Sequence, residues 1–138
     1  MTEPVSYTGA CLCGAVQISA AADPLWVGHC HCPTCRRATG AAFTTFARFD
    51  RAMVRFSGRE VDVFRPSPDA ARLFCSKCGS PVALKNERVP NLINVQIGVL
   101  DQAADLVPEE HTYVKTRLPW VDMNADLPSC QLFPGMKA

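Results

Sequence analysis

The sequence predicts a mainly β fold, a single domain of small antiparallel sheets organised around zinc with very little helix, spanning residues 1–138. Three observations predict it. Seven of the eight cysteines fall in tight clusters, the pattern of metal ligands. Eleven prolines and eight glycines break the chain every few residues, leaving little room for long helices. Between the breaks lie short runs rich in β-branched and aromatic residues. A chain of 138 residues is one domain by length and buries a real core without disulfides.

In chain order the strand-like runs are 15–19, 42–49, 53–56, 61–64, 72–75, 82–84, 92–100 and 111–114. In the longest, Ile93, Val95, Ile97 and Val99 alternate with Asn94, Gln96 and Gly98, the period of a half-buried strand. One helical turn is predicted at Pro33–Thr39, with Pro33 at its first position and Gly40 as its C-terminal cap. Residues 65–69, Arg-Pro-Ser-Pro-Asp, read as a loop.

Composition excludes several function classes. Hydrophobic residues make up 48% and charged residues 20%, so the chain is globular rather than disordered. A net charge of +1 lacks the basic footprint of a nucleic-acid binder. No apolar run approaches the ~18 residues that span a bilayer. The start, Met1-Thr2-Glu3-Pro4, has neither the basic nor the apolar segment of a signal peptide. The expectation is a cytoplasmic protein with reduced thiols, no membrane partner and no disulfides. Nothing in the sequence sets an oligomeric state.

The cysteines fall as Cys11-x-Cys13, Cys30-x-Cys32-x-x-Cys35 and Cys75-x-x-Cys78, with Cys130 alone. A Cys-x-x-Cys turn brings two sulfurs to one point, and Gly79 takes the positive φ that lets the chain turn away. Cys11 and Cys13, two apart on an extended chain, share a face. These four supply a closed structural zinc site. Cys30, Cys32 and Cys35 supply three thiolates, with Cys35 swung back by the helical turn, and three protein ligands plus an exchangeable position is the pattern of catalytic zinc. Alternatives stay open at this point. Cys130, His29 or His31 could close the middle site, although the histidines alternate with Cys30 and Cys32 and so point away. A single ion could instead draw on the middle cluster and the Cys75/Cys78 knuckle.

The residues Gly9-Ala10-Cys11-Leu12-Cys13-Gly14-Ala15-Val16, then His29 to Gly40 and Phe74 to Ser80, resemble the glutathione-dependent formaldehyde-activating enzyme family, which includes centromere protein V. His111-Thr112-Tyr113-Val114 and Pro119-Trp120-Val121 are similar to its C-terminal segment, and the likeness runs from about 7 to 122. The resemblance implies an Mss-four-like complex β fold. It implies two zinc ions, with Cys11, Cys13, Cys75 and Cys78 holding the structural one and Cys30, Cys32 and Cys35 the catalytic one. It also implies carbon–sulfur lyase activity, forming S-hydroxymethylglutathione from formaldehyde and glutathione, in formaldehyde detoxification.

The mechanism expected from these residues places the glutathione thiol at the open zinc position for attack on the aldehyde, with His29, His31 or water as the proton donor. The rival arrangement puts the substrate hydroxyl on zinc. Arg36 and Arg37 are candidates for clamping glutathione carboxylates, or for offsetting the anionic cluster. Trp26, Phe43, Phe46, Phe49 and Trp120 are candidates for a pocket wall, with core packing the commoner role. Arg48, Arg51, Arg55 and Arg59 read as an exposed basic face. Two other functions compete: a binding module with two structural zincs, and a thiol-based redox or metal sensor.

Overall fold

The computed structural model describes residues 6–121. The described residues form ten strands and one α-helix: β1 (Tyr7–Ala10), β2 (Gln17–Ala20), β3 (Trp26–Cys30), α1 (Pro33–Thr39), β4 (Thr44–Asp50), β5 (Val54–Ser57), β6 (Val61–Ser67), β7 (Ala70–Cys75), β8 (Pro81–Asn86), β9 (Leu92–Gln96) and β10 (Glu110–Thr112). Short 3₁₀ turns join several of them. The strands make a three-stranded sheet, ordered β1-β2-β5, and a seven-stranded sheet, ordered β10-β3-β4-β9-β8-β7-β6. Every named strand pair is antiparallel except β10 with β3. The fold is mainly β, as predicted.

Period-two alternation divides the large sheet into two faces. Val27, Ala47, Val95, Ala83 and Leu73 are paired in register across five strands and are all buried. They share one apolar core with Ile18 and Ala20 of the small sheet. The opposite face carries a different row: Trp26, Arg48, Asn94, Leu84 and Arg72, again in direct register. That mixed row forms the floor of a cavity, described below.

The helix matches its prediction residue for residue. Pro33 starts it, and Gly40 closes it in the left-handed region at φ 69°. Elsewhere the chain departs from expectation. The run 92–100 is strand only to Gln96, because the chain then turns through Ile97–Val99 and bridges Gly9 of the small sheet through Leu100. Residues 65–67 belong to β6 rather than to a loop. Pro66 is tolerated there because β6 is an edge strand and the pairing is irregular between Phe64 and Ser67. The last predicted run ends at Thr112, and Tyr113 enters the left-handed region at φ 56°. The strands β1 and β3, unpredicted, are short and each contains a glycine. No helix among the described residues is long and apolar enough to cross a membrane.

Candidate metal centres and the cavity beside them

The structure gathers the seven described cysteines into two separate groups, all of them free thiols. Cys130 lies outside the described residues. Cys11, Cys13, Cys75 and Cys78 form the first group, their sulfurs all within 4.8 Å of one another. Cys11 and Cys13 sit in a turn rather than in extended chain, because β1 ends at Ala10 and the Gly14 amide bonds back to the Cys11 carbonyl at 3.0 Å. Cys75 ends β7, and the Gly79 amide bonds to its carbonyl at 2.7 Å with Gly79 at φ 80°. The group therefore joins the β1–β2 turn of the small sheet to the β7–β8 turn of the large one.

Cys30, Cys32 and Cys35 form the second group, also within 4.8 Å. Cys30 ends β3. Cys32 is the N-cap of α1, its sulfur accepting from the Cys35 amide at 3.3 Å. Cys35 is buried in the first turn of that helix. The two groups do not mix, so a single site drawing on Cys30–Cys35 and the Cys75/Cys78 knuckle is not what the fold builds.

Each group fits a metal ion by chemistry and by spacing. Four sulfurs around zinc at 2.3 Å lie about 3.8 Å apart. Here Cys11 and Cys13 sulfurs are 3.6 Å apart, Cys13 and Cys75 3.8 Å, and Cys30 and Cys32 3.4 Å. The surroundings favour thiolate at Cys30 and Cys78 and the protonated thiol at Cys13 and Cys35. The Cys30 thiol is pulled down to about 5, chiefly by the Cys35 thiol donating to it and against its burial. Cys35 is pushed up in turn because it holds that proton. Cys78 is pulled down to about 5, first by the Ser80 hydroxyl. Crowded sulfurs competing for charge in this way are relieved by one shared cation.

The histidines take no part in either group. His29 Nδ1 lies 2.7 Å from the Thr45 hydroxyl, and His31 Nε2 lies 3.0 Å from His111 Nδ1. Phe43 packs against both His29 and His31. Burial, and secondarily His111, lowers the pKa of His29 and His31 and keeps both neutral. Among the described residues no His, Cys, Asp or Glu joins Cys30, Cys32 and Cys35 as a fourth ligand.

A cavity of roughly 580 Å³ opens beside the second group, which lines one end of it. Trp26 and Phe46 supply apolar wall, and Arg48 and Arg72 supply charge. Arg72 Nη2 donates to Cys35 Sγ at 3.5 Å, and Arg48 Nε donates to Asn94 Oδ1 at 2.9 Å. No histidine lines the cavity, so His29 and His31 are not placed to be its proton donors. Arg36 and Arg37 flank a separate cleft with Leu118 and Trp120. Phe49 is core rather than wall. Arg48 leaves the expected basic face, since Arg51, Arg55 and Arg59 lie on other elements and are exposed. Sequence reasoning missed Arg72, and its parity with Phe74 along one strand gave no hint of the strand order that carries it to Cys35.

A model of the family described as "Glutathione-dependent formaldehyde-activating enzyme" matches residues 6–116. The chain belongs to this family. It is 32% identical over 90 residues to an uncharacterised lyase of Schizosaccharomyces pombe, a match covering 64% of this chain and 65% of that protein's length. It is 25% identical over 126 residues to a "Putative glutathione-dependent formaldehyde-activating enzyme" of Halomonas elongata, covering 85% of this chain and 80% of that one. In fold it is similar to a crystal structure of a Rhodobacter sphaeroides protein, with a TM-score of 0.62 at 24% identity over 76% of this chain and 99% of that one.

One glycine of this family member shapes the cavity. The Trp26 ring lies flat across Gly28, where any Cβ would overlap it. The indole is further held by Glu110, which accepts from Nε1 at 2.8 Å, and by Arg48, stacked 5.3 Å from the ring centroid. Gly28→Ala is expected to expel the ring at a stability cost of about 1–3 kcal/mol, the usual penalty of overpacking. Tryptophan emission, read in a Trp120→Phe background, should shift to the red. Unchanged emission would show that the ring is seated by something else.

Proposed function

We propose that this protein is a zinc-dependent carbon–sulfur lyase that forms or cleaves the S-hydroxymethyl adduct of a thiol, glutathione or a relative, with formaldehyde or another aldehyde. The observation that carries the proposal is the position of Cys30, Cys32 and Cys35: three grouped sulfurs in the wall of a cavity, with no fourth His, Cys, Asp or Glu beside them among the described residues. The family relationship supports the reaction class.

In this reading Cys30, Cys32 and Cys35 hold the catalytic ion, and Cys11, Cys13, Cys75 and Cys78 hold a structural one. Zinc in the three-cysteine site would lower the pKa of a thiol that reaches it and favour the nucleophilic thiolate. Arg72, donating to Cys35 Sγ, offsets the negative charge that three thiolates concentrate there. Trp26 and Phe46 keep the reacting end of the cavity apolar and strengthen the electrostatics inside it. Glu110 and Tyr113 line the same cavity and replace the histidines as side chains able to exchange a proton with the adduct oxygen. The reducing cytoplasm is the compartment in which these thiols stay free.

Formaldehyde and glutathione combine without help, so product formation is no test. The informative measurement is hydroxymethyl exchange at equilibrium, with and without protein, since a catalyst lowers one barrier for both directions. Exchange should accelerate with the zinc-loaded protein and return to background after chelation. Glutathione should also slow the loss of one of the two zinc ions, because a ligand stabilises the state it binds. If neither exchange nor zinc retention responds, the lyase reading fails and both cysteine groups are structural.

A further inference from the structure

We infer that Arg48 is the substrate-recognition residue of the cavity and that it takes a carboxylate carried by the thiol substrate. The inference rests on the thiol–aldehyde reading of the same site.

The argument starts from the register. Trp26, Arg48 and Asn94 are direct cross-strand neighbours, so their side chains rise from one face in one row. Asn94 is 7% exposed, and its Oδ1 accepts from Arg48 Nε; the guanidinium carbon sits over the Trp26 ring, 5.3 Å from its centroid. A buried amide and a seated indole thus hold an otherwise flexible side chain in one orientation. What they leave over is the far edge of the fork. Arg48 Nη1 and Nη2 have no hydrogen-bond partner among the described residues, and this is the edge that matches a carboxylate with two parallel bonds.

No protein acid answers that charge. Among the described residues the one salt bridge joins Arg88 to Asp69, on the outside of the molecule. The acid in the cavity wall, Glu110, accepts from the Trp26 indole instead. Arg72 is the other cation in the wall, and its contact is with Cys35. Arg72 therefore gives Nη2 to the cysteine cluster, with its Nε buried and unpartnered, whereas neither Nη of Arg48 meets an acceptor among the described residues.

Position assigns the carboxylate to the thiol rather than to the aldehyde. Arg72, not Arg48, is the cation in contact with the cysteine group, so the carboxylate of an aldehyde acid as short as glyoxylate would meet Arg72 there. Arg48, tied to Asn94 in the same row, suits the carboxylate of a longer substrate, and a peptide thiol such as glutathione has that length. Arg36 and Arg37, which follow Cys35 in sequence, line a different cleft.

The test compares carboxylate-bearing and esterified ligands on the zinc-loaded full chain carrying Trp120→Phe, so that Trp26 is the reporter. Glutathione should change the Trp26 emission with saturation, and glutathione diethyl ester should bind at least tenfold more weakly. Arg48→Gln should remove that difference, raising KM for glutathione in the exchange assay tenfold or more while kcat changes less than threefold. Arg48→Lys should recover only part of it, since an ammonium cannot make the paired contact. In a second arm, glyoxylate is offered with the uncharged thiol 2-mercaptoethanol; an Arg48-dependent advantage confined to that arm would overturn the assignment to the thiol. Equal losses for glutathione and its ester in Arg48→Gln, or the loss appearing in Arg37→Gln and not in Arg48→Gln, would overturn the inference while exchange by the parent protein keeps the lyase reading. Carboxylate-dependent binding lost in Arg48→Gln, in a protein that accelerates no exchange, would do the reverse.

Discussion

Cys75→Ser is expected to yield no folded protein. Cys75 is fully buried at the end of β7, and its sulfur is 3.8 Å from that of Cys13, which belongs to the other sheet. An ion held by Cys11, Cys13, Cys75 and Cys78 would therefore fasten the two sheets at a point where the sequence separation is more than 60 residues. Structural zinc sites in small domains contribute about 10–16 kcal/mol. A whole domain is stable by only about 5–15 kcal/mol. Serine is a poor zinc ligand, so losing one thiolate removes an amount comparable to the total. The variant also leaves the remaining thiols crowded in a partly apolar site. Soluble yield, far-ultraviolet circular dichroism and zinc content per chain report the result. A useful comparison is Ser80→Ala, which removes the hydroxyl that contacts Cys78 Sγ and accepts from the Leu12 amide at 3.0 Å. It should cost about 0.5–1.5 kcal/mol, the net worth of a hydrogen bond whose donor stays open to water, and leave the protein folded. A folded Cys75→Ser protein with unchanged zinc would falsify the structural role of this group.

How much of this was legible in the sequence depends on whether the information is local. The cysteine clusters were readable because spacing within a turn is a local matter, and Pro33 and Gly40 marked α1 by the same logic; that Cys11 and Cys13 meet Cys75 and Cys78 was not local, since Cys13 and Cys75 are 62 residues apart. The parity of His29 and His31 against Cys30 and Cys32 was also local, and neither imidazole joins the cysteine group. Its destination was not, since His31 meets His111 80 residues later through a parallel strand pair. Arg36 and Arg37 show how adjacency in sequence differs from adjacency in space on a helix. At 3.6 residues per turn, the first and second residues after Cys35 point about 100° and 200° away from it. They consequently flank another cleft. Arg48 and Arg72 show the converse. They reach the cavity because strand order places β7, β8, β9, β4 and β3 side by side, and no pattern within one strand encodes that order. The same non-local crossing ended the 92–100 run early, where Leu100 had to leave for Gly9 of the small sheet.

Cys32→Ser should give the opposite outcome to Cys75→Ser: a folded protein without turnover. The reason lies in what Cys32 does structurally. It is half-exposed at the helix N-cap, and its sulfur accepts from the Cys35 amide. Serine is among the preferred N-cap residues, so its hydroxyl can take over that bond and keep α1 started. The four-cysteine group, some distance along the chain, is untouched. What serine cannot replace is the third thiolate. Changes merely next to a metal ligand cost about 10–100-fold in affinity, and loss of the ligand itself should exceed this. Zinc content should therefore fall from two ions to one per chain, with the circular dichroism of the parent retained. Hydroxymethyl exchange should drop to the uncatalysed rate. If the variant instead unfolds as Cys75→Ser does, the middle group is a second structural site and the lyase reading loses its centre. If it keeps both ions and full exchange, Cys32 is no ligand, and its part in the fold is that of a helix cap alone.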